Sequence, residues 1–373
     1  MVRRFLWLAV ALLASTAQAA GPQRMATMDR SGWAQPLNST AAFDTASRAE
    51  ILMFGKTLLA SEGMAEPELK AQLGVKQVNL VSLEAVRQRF WLELLKNYQL
   101  ASASCAAESA FCPAIRDQGA LRQQASALVV PPTYAAWATA SEAFHRSYLN
   151  EQLRLAALFP GISSEIAVFS ALERTGDEMA DRQFLLTFDD GPTPKVGNSE
   201  KLMAALAEQK LSGIFYVLGN NFQARLQHSS AEAMRSLYAG QCVGLHGWEH
   251  KSHGQWAEWQ SSVTRTQALV QQTLPNNYVG WFRPPYAQRK PDSGEFFTQQ
   301  GLQVGLWNID SQDWSSKVST DAAGQRVLTL MLLWRHGVIL FHDIHSKAPV
   351  AVPWVVKAVQ GSGVNWLGCH DYR

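Results

Sequence analysis

The sequence has little that would draw it to polyanions or hold it in a bilayer. Charged side chains make up only 17% of it, and 33 basic against 31 acidic residues give a formal net charge of +2. That balance supplies no polybasic face to neutralise phosphates, which excludes nucleic acid as a partner. Beyond the N-terminus no run is long and apolar enough to span a membrane. Cysteine is scarce, with four residues, and none has the CxxC spacing of a zinc site. An even count fits an oxidising compartment, where Cys105 with Cys112 and Cys242 with Cys369 is one of three pairings. What is plentiful is apolar residues, 47% of 373, enough to exclude disorder and to build two domains or one large one.

Residues 1–19 read as a signal peptide. Arg3 and Arg4 precede an apolar stretch at 5–14, which ends in Ala17-Gln18-Ala19, the small-x-small pattern of a cleavage site. The stretch is shorter than the ~20 residues of a membrane span, and no cysteine follows to carry a lipid. Cleavage removes two arginines and leaves 31 charges of each sign. The mature chain is expected to be exported, periplasmic or extracellular, and soluble.

Two textures follow. In residues 20–180 apolar side chains recur at helical spacing: Ile51, Phe54, Leu58 and Leu59, then Leu83, Val86, Phe90, Leu94 and Tyr98, then Phe144, Tyr148, Leu155 and Phe159, with Pro160-Gly161 as a stop. This region carries no catalytic constellation. It is expected to cap the second region, although Trp33, Trp91 and Trp137 offer sugar-stacking rings, and docking of an envelope protein partner is an alternative role. Residues 181–373 instead alternate short apolar runs (184–188, 213–218, 242–245, 280–282, 304–307, 338–341 and 364–367) with amphipathic stretches at 199–209, 257–274 and 320–334. Repeated strand-helix units predict a parallel sheet or a (β/α) barrel.

Polar residues cluster where these strands end, the place where barrels converge reactive groups on one mouth. Thr187-Phe188-Asp189-Asp190-Gly191-Pro192 sets adjacent carboxylates on an extended backbone. In His246-Gly247-Trp248-Glu249-His250 the i, i+4 histidines would share one helical face and bind one divalent ion. His253 reads as solvated or as lying behind the ligands. Asp190 completes a His-His-Asp set suited to zinc or a similar transition metal. Arg283, in Phe282-Arg283-Pro284-Pro285-Tyr286, offers a cation for Asp189, and the backbone after the prolines offers an amide for an oxyanion. Asp310-Ser311-Gln312-Asp313-Trp314 sets carboxylates beside an aromatic wall, and the strand ending in Leu340-Phe341-His342 presents a histidine suited to general acid chemistry.

In that order, these five clusters resemble the motifs of the NodB-homology polysaccharide deacetylases, carbohydrate esterase family 4, over roughly residues 181–373. The resemblance implies an α/β fold, a distorted (β/α) barrel of the NodB-homology type preceded by an α-helical N-terminal region. It implies that Asp190, His246 and His250 hold a divalent metal, zinc first with cobalt or another transition metal as alternatives, which acidifies water and polarises the acetyl carbonyl. Asp189, oriented by Arg283, then serves as base, the Tyr286 amide helps hold the oxyanion, and His342, tuned by Asp313, acts as acid. Trp314 and Leu340 resemble the walls around the acetyl methyl group. The implied substrate is an N-acetylhexosamine-containing glycan; O-acetyl ester cleavage and a catalytically silent glycan-binding role are the alternatives. Two positions depart from the pattern: Gly247 stands where the family has Ser or Thr, and Ala287 where it has Gly.

Overall fold

The computed structural model describes residues 24–106, 109–159 and 168–372; the signal-peptide segment and Pro160-Gly161 lie outside the described residues. Five helices come first: α1 (Thr40–Glu62), α2 (Glu66–Leu73), α3 (Leu80–Ala101), α4 (Gln118–Ser126) and α5 (Ala135–Leu158). Side-chain oxygens of Ser39, Asn79 and Asp117 accept from the amides of Ala42, Ser82 and Ala120, which starts α1, α3 and α4. The apolar stripes become the packing faces, with Ile51, Phe54, Leu58, Leu83, Val86, Phe90, Leu94, Tyr98, Phe144 and Tyr148 all buried. On α5 the stripe drifts, so Leu153 and Ala156 are buried while Leu155 and Phe159 are half-buried. Trp33, Trp91 and Trp137 are buried in the helix interfaces, which removes them as sugar platforms.

The second region runs β1 (Glu173–Arg174), β2 (Gln183–Asp189), α6 (Asn198–Gln209), β3 (Gly213–Val217), α7 (Gly219–Gln227), α8 (Ala231–Leu237), β4 (Cys242–Leu245), α9 (Trp259–Thr273), β5 (Tyr278–Phe282), α10 (Gly294–Gln299), β6 (Gln303–Gly305), β7 (Ile309–Asp310), α11 (Thr320–Trp334), β8 (Gly337–His342), α12 (Ala348–Ala358) and β9 (Asn365–Trp366). All described pairings are parallel, in the order β1-β6-β5-β4-β3-β2-β8-β7, with β9 added to β2. This is a (β/α) barrel left open between β1 and β7. The sheet begins earlier than the helical reading of residues 20–180 allows, because β1 falls inside that span. A two-residue strand is defined by its partner β6 and has no alternation of its own to read.

Strand alternation divides the sheet into two faces. Phe184, Leu186, Phe188, Phe215, Val217, Val243, Ile339 and Phe341 join the main core, whereas Leu185, Ile214, Tyr216, Cys242, Trp281 and Val338 form a second, smaller cluster inside the barrel. The C-terminal segment closes the base of that interior: Cys369 is disulfide-bonded to Cys242, and Tyr372 stacks on Trp281 at 4.9 Å. Cys105 pairs with Cys112, so of the three possible pairings the structure holds Cys105 with Cys112 and Cys242 with Cys369.

The two regions share α11. Nearly every residue from Ala323 to Trp334 is buried, as expected of a helix covered on both sides. Arg326 and Arg335 on or just after it are wholly buried and reach back to the helical region, where they pair with Glu151 and Asp44 at 2.7 and 2.8 Å.

Candidate active site

Register brings the sequence motifs to one mouth. Asp189 lies opposite both His342 on β8 and Tyr216 on β3, and Val217 lies opposite Leu245, which in turn lies opposite Phe282. The ladder then continues one residue beyond the strand ends. His246 N–H donates to Val217 O (2.9 Å), Arg283 N–H to Leu245 O (2.8 Å), Asp190 N–H to Tyr216 O (3.2 Å) and Asp343 N–H to Asp189 O (3.2 Å). By register Asp190 and Asp343 stand level with Leu245 and Phe282, and His246 and Arg283 one residue above them, so these side chains leave the sheet within one residue of the same height.

Asp190 Oδ1 stands 3.5 Å from His246 Nε2 and 3.6 Å from His250 Nε2. It is buried and has no hydrogen-bond partner. One donor atom from each residue lies within 4.8 Å of the other two. His246 Nδ1–H donates to Arg283 O at 2.7 Å, which turns the Nε2 lone pair toward Asp190. Burial lowers the proton affinity of both histidines, well below the ordinary range for His246. Neutral imidazoles and an orphaned carboxylate oxygen fit a divalent metal.

Residues 246–250 are not helical, contrary to the reading from i, i+4 spacing. Gly247 has φ +80°, so the chain leaves β4 through a left-handed residue and bends back on itself. The carbonyls of Gly247 and Trp248 accept from Gly219 and Asn220 at the start of α7. His253 is not solvated: it is fully buried against Ser262, and that burial pushes it down to about 4.

Arg283 sits on the barrel axis with none of its surface exposed. It donates to Asp189 Oδ1 (2.9 Å), Thr187 Oγ1 (2.8 Å), Gly305 O (2.8 Å) and Leu306 O (3.0 Å), and lies over the Tyr216 ring. Burial nevertheless dominates at Asp189 and lifts it to about 6, against the pull of Arg283 and His342. Across the mouth, His342 Nδ1–H donates to Asp313 Oδ1 (2.7 Å), and Asp313 Oδ2 accepts the His342 amide (3.0 Å). Burial opposes the charge on His342, but Asp313, with help from Asp189 and Asp190, raises it to about 10. Lys347 fixes this loop by donating to Asp313 O and Ser315 O.

Leu340 is buried on the same strand face as His342, while Trp314 and Tyr286 are exposed at the rim. The Tyr286 ring stands edge-on to His250 at 4.4 Å. Positive φ recurs here, at Asp190 (79°), Tyr286 (59°), Ala287 (56°) and Gln312 (56°). Such conformations cost of order 1–3 kcal/mol each and collect at functional sites. The value at Ala287 also explains why Gly is usual there.

Asp343 carries no assigned role in the sequence, although it follows His342 directly. It is buried beneath Gly191, accepts from Ser199 Oγ at 2.8 Å, and is pushed up to about 7 by burial, with Asp190 adding to the effect. The signal was its place beside a strand-end histidine. Asn221, which donates to Asp190 O at 2.8 Å, had none.

A parallel barrel with paired carboxylate and histidine groups around a His-His-Asp trio brings together the groups that metal-assisted hydrolysis requires. Residues 176–305 match the family model for polysaccharide deacetylase. That match agrees with the resemblance of the five motifs to the NodB-homology polysaccharide deacetylases, carbohydrate esterase family 4. The match is shorter than the span of the five motifs, since the Asp313 and His342 clusters lie beyond it. The chain is similar to the peptidoglycan-N-acetylmuramic acid deacetylase PdaC of Bacillus subtilis, at 28% identity over 48% of this chain and 36% of that protein. It is also similar to a peptidoglycan-N-acetylglucosamine deacetylase of Bacillus cereus, at 29% identity over 50% of this chain and 68% of that one. It therefore spans about a third of the first relative's length and about two thirds of the second's. Among solved structures, a family 4 carbohydrate esterase from Streptomyces lividans in complex with acetate aligns with TM-score 0.41 and 28% identity, over 48% of this chain and 88% of that one.

Proposed function

We propose that this protein is an exported, metal-dependent deacetylase that hydrolyses N-acetyl groups on an N-acetylhexosamine-containing glycan. The observation that carries the reading is the pairing of opposed groups on one mouth: Asp189 held by Arg283 on one side, His342 held by Asp313 on the other, and Asp190, His246 and His250 between them. The two disulfides suit an oxidising compartment.

Asp190, His246 and His250 would hold the divalent ion, zinc being favoured by two imidazoles and a carboxylate. When bound, the ion supplies Lewis acidity, which activates water and polarises the acetyl carbonyl. Asp189 takes a proton from the attacking water as the C–O bond forms. Arg283 keeps that carboxylate aimed into the mouth. The Tyr286 amide helps hold the negative charge on the tetrahedral oxygen. His342 gives its proton to the nitrogen as the C–N bond breaks, so one water and one acetamide become acetate and a free amine. Leu340 and Trp314 border the methyl group.

Acetate release from purified protein tests the reading across peptidoglycan, chitin oligomers, acetylated β-glucosamine polymer and acetylated xylan, with and without added zinc. Release from N-acetylated glycans that stops on chelation is the expected result. Release from the O-acetylated xylan alone would replace it with ester hydrolysis, and binding without release would mark a silent glycan-binding protein.

The pH profile follows from the two opposed groups. Asp189 must be ionised and His342 protonated, so kcat/KM rises through a limb set by Asp189 and falls through one set by His342. Without metal those groups lie at about 6 and about 10. A nearby cation disfavours protonation, so both limbs fall at or below these values. Asp313→Asn removes the carboxylate that raises His342. The falling limb then moves to lower pH while the rising limb stays; an unmoved falling limb would remove His342 from the role of acid.

A further inference from the structure

We infer that His253, with Ser262, is a positioning residue for the loop that carries both histidine ligands, and that it takes the place of the hydroxyl lost at Gly247. The inference rests on the metal site proposed above. His253 Nδ1 stands 2.8 Å from Lys251 O, an oxygen that only accepts, so Nδ1 carries the proton. The unprotonated Nε2, 3.1 Å from Ser262 Oγ, then accepts from that hydroxyl. Ser262 Oγ in turn accepts the Trp248 amide at 2.6 Å. The chain from Trp248 N–H through Ser262 and His253 to Lys251 O thus clamps the backbone on both sides of His250. All of it is buried or half-buried, and each bond has a single consistent direction.

Gly247 and His253 are sterically linked. A Cβ at Gly247 would lie 2.6 Å from both Cε1 and Nε2 of His253 and 2.9 Å from Ser262 Oγ, on a backbone with φ +80°. The imidazole therefore occupies the space a Ser or Thr side chain at 247 would need. This is a reason for the departure from the family pattern: one polar clamp excludes the other.

The experiment measures zinc affinity by chelator competition and thermal melting of metal-free protein, in wild type and variants. His253→Leu keeps the bulk and removes both hydrogen bonds. It is expected to weaken zinc by about 10- to 100-fold, the effect typical of a group behind a ligand. His253→Asn places an amide near the Nδ1 position and is expected to recover part of that loss. Gly247→Ser should cost more in the wild-type background than beside His253→Ala, because only the former contains the clash. Should His253→Leu fail to fold, Ser262→Ala deletes the hydroxyl alone and carries the same expectation for zinc. Wild-type zinc affinity in His253→Leu and Ser262→Ala would overturn the inference. A wild-type chain that takes up no divalent metal would instead overturn the underlying site, and this inference with it.

Discussion

Asp189→Asn is expected to retain metal and lose acetate release by about 100- to 10,000-fold, the range for removing a general base. The substitution is nearly isosteric. Its Oδ1 still accepts from Arg283, whose guanidinium is also fixed by Thr187, Gly305 and Leu306. The barrel interior therefore keeps its cation and its shape, and what disappears is an oxygen able to take a proton. His246→Ala is the contrasting variant, since it removes an imidazole from the trio around Asp190 and should lose metal and turnover together. Metal content and acetate release measured on the same preparations separate the two roles. Normal turnover by Asp189→Asn would sink the assignment of the base.

The second large effect lies far from the mouth in sequence. Glu151→Gln should destabilise the whole protein by about 3–5 kcal/mol, because it leaves the buried Arg326 cation without its counter-charge. Arg326 donates to both Glu151 oxygens (3.1 and 2.7 Å), to Ala26 O (3.1 Å), and through Nε to Asp310 O (2.7 Å). One guanidinium thus ties α5 of the helical region to the strand from which Asp313 follows. Thermal melting is the measurement, with Glu142→Gln as the control. Its pairs with Lys56 and Arg146 are largely exposed, and pairs of that kind contribute little. Equal melting of Glu151→Gln and wild type would show that the helical region does not brace the barrel through this pair.

The mouth of the candidate site was legible in the sequence because its residues sit where apolar runs stop. Asp189, His246, Arg283 and His342 each follow such a run, and parallel pairing in register brings those ends together. Four features were not legible. The i, i+4 spacing of His246 and His250 is satisfied equally by a helix and by a bend opened at a left-handed glycine, and only the backbone decides between them. The strands β1 and β7 are two residues each, too short for any alternation. Glu151 and Arg326 read as ordinary polar positions on amphipathic helices, since a buried ion pair across 175 residues leaves no local mark. The small inner cluster was hidden for a similar reason: Cys242, Trp281 and Tyr372 meet only because the C-terminal segment returns to the barrel base.

The shared helix α11 also sets an order of events in the life of the chain. The helical region comes first in sequence, yet the partners of Arg30, Asp44 and Glu151 on or beside α11 lie 299, 291 and 175 residues further on. Strand β2, an interior strand of the sheet, likewise waits for β8 and β9 near the C-terminus. Contacts this remote slow folding, because loop closure comes before any reward. A nascent chain therefore has no finished unit to collapse into until its last strands arrive. If the chain is exported unfolded, as proposed above, that delay would keep it in a form that still fits through a translocation channel.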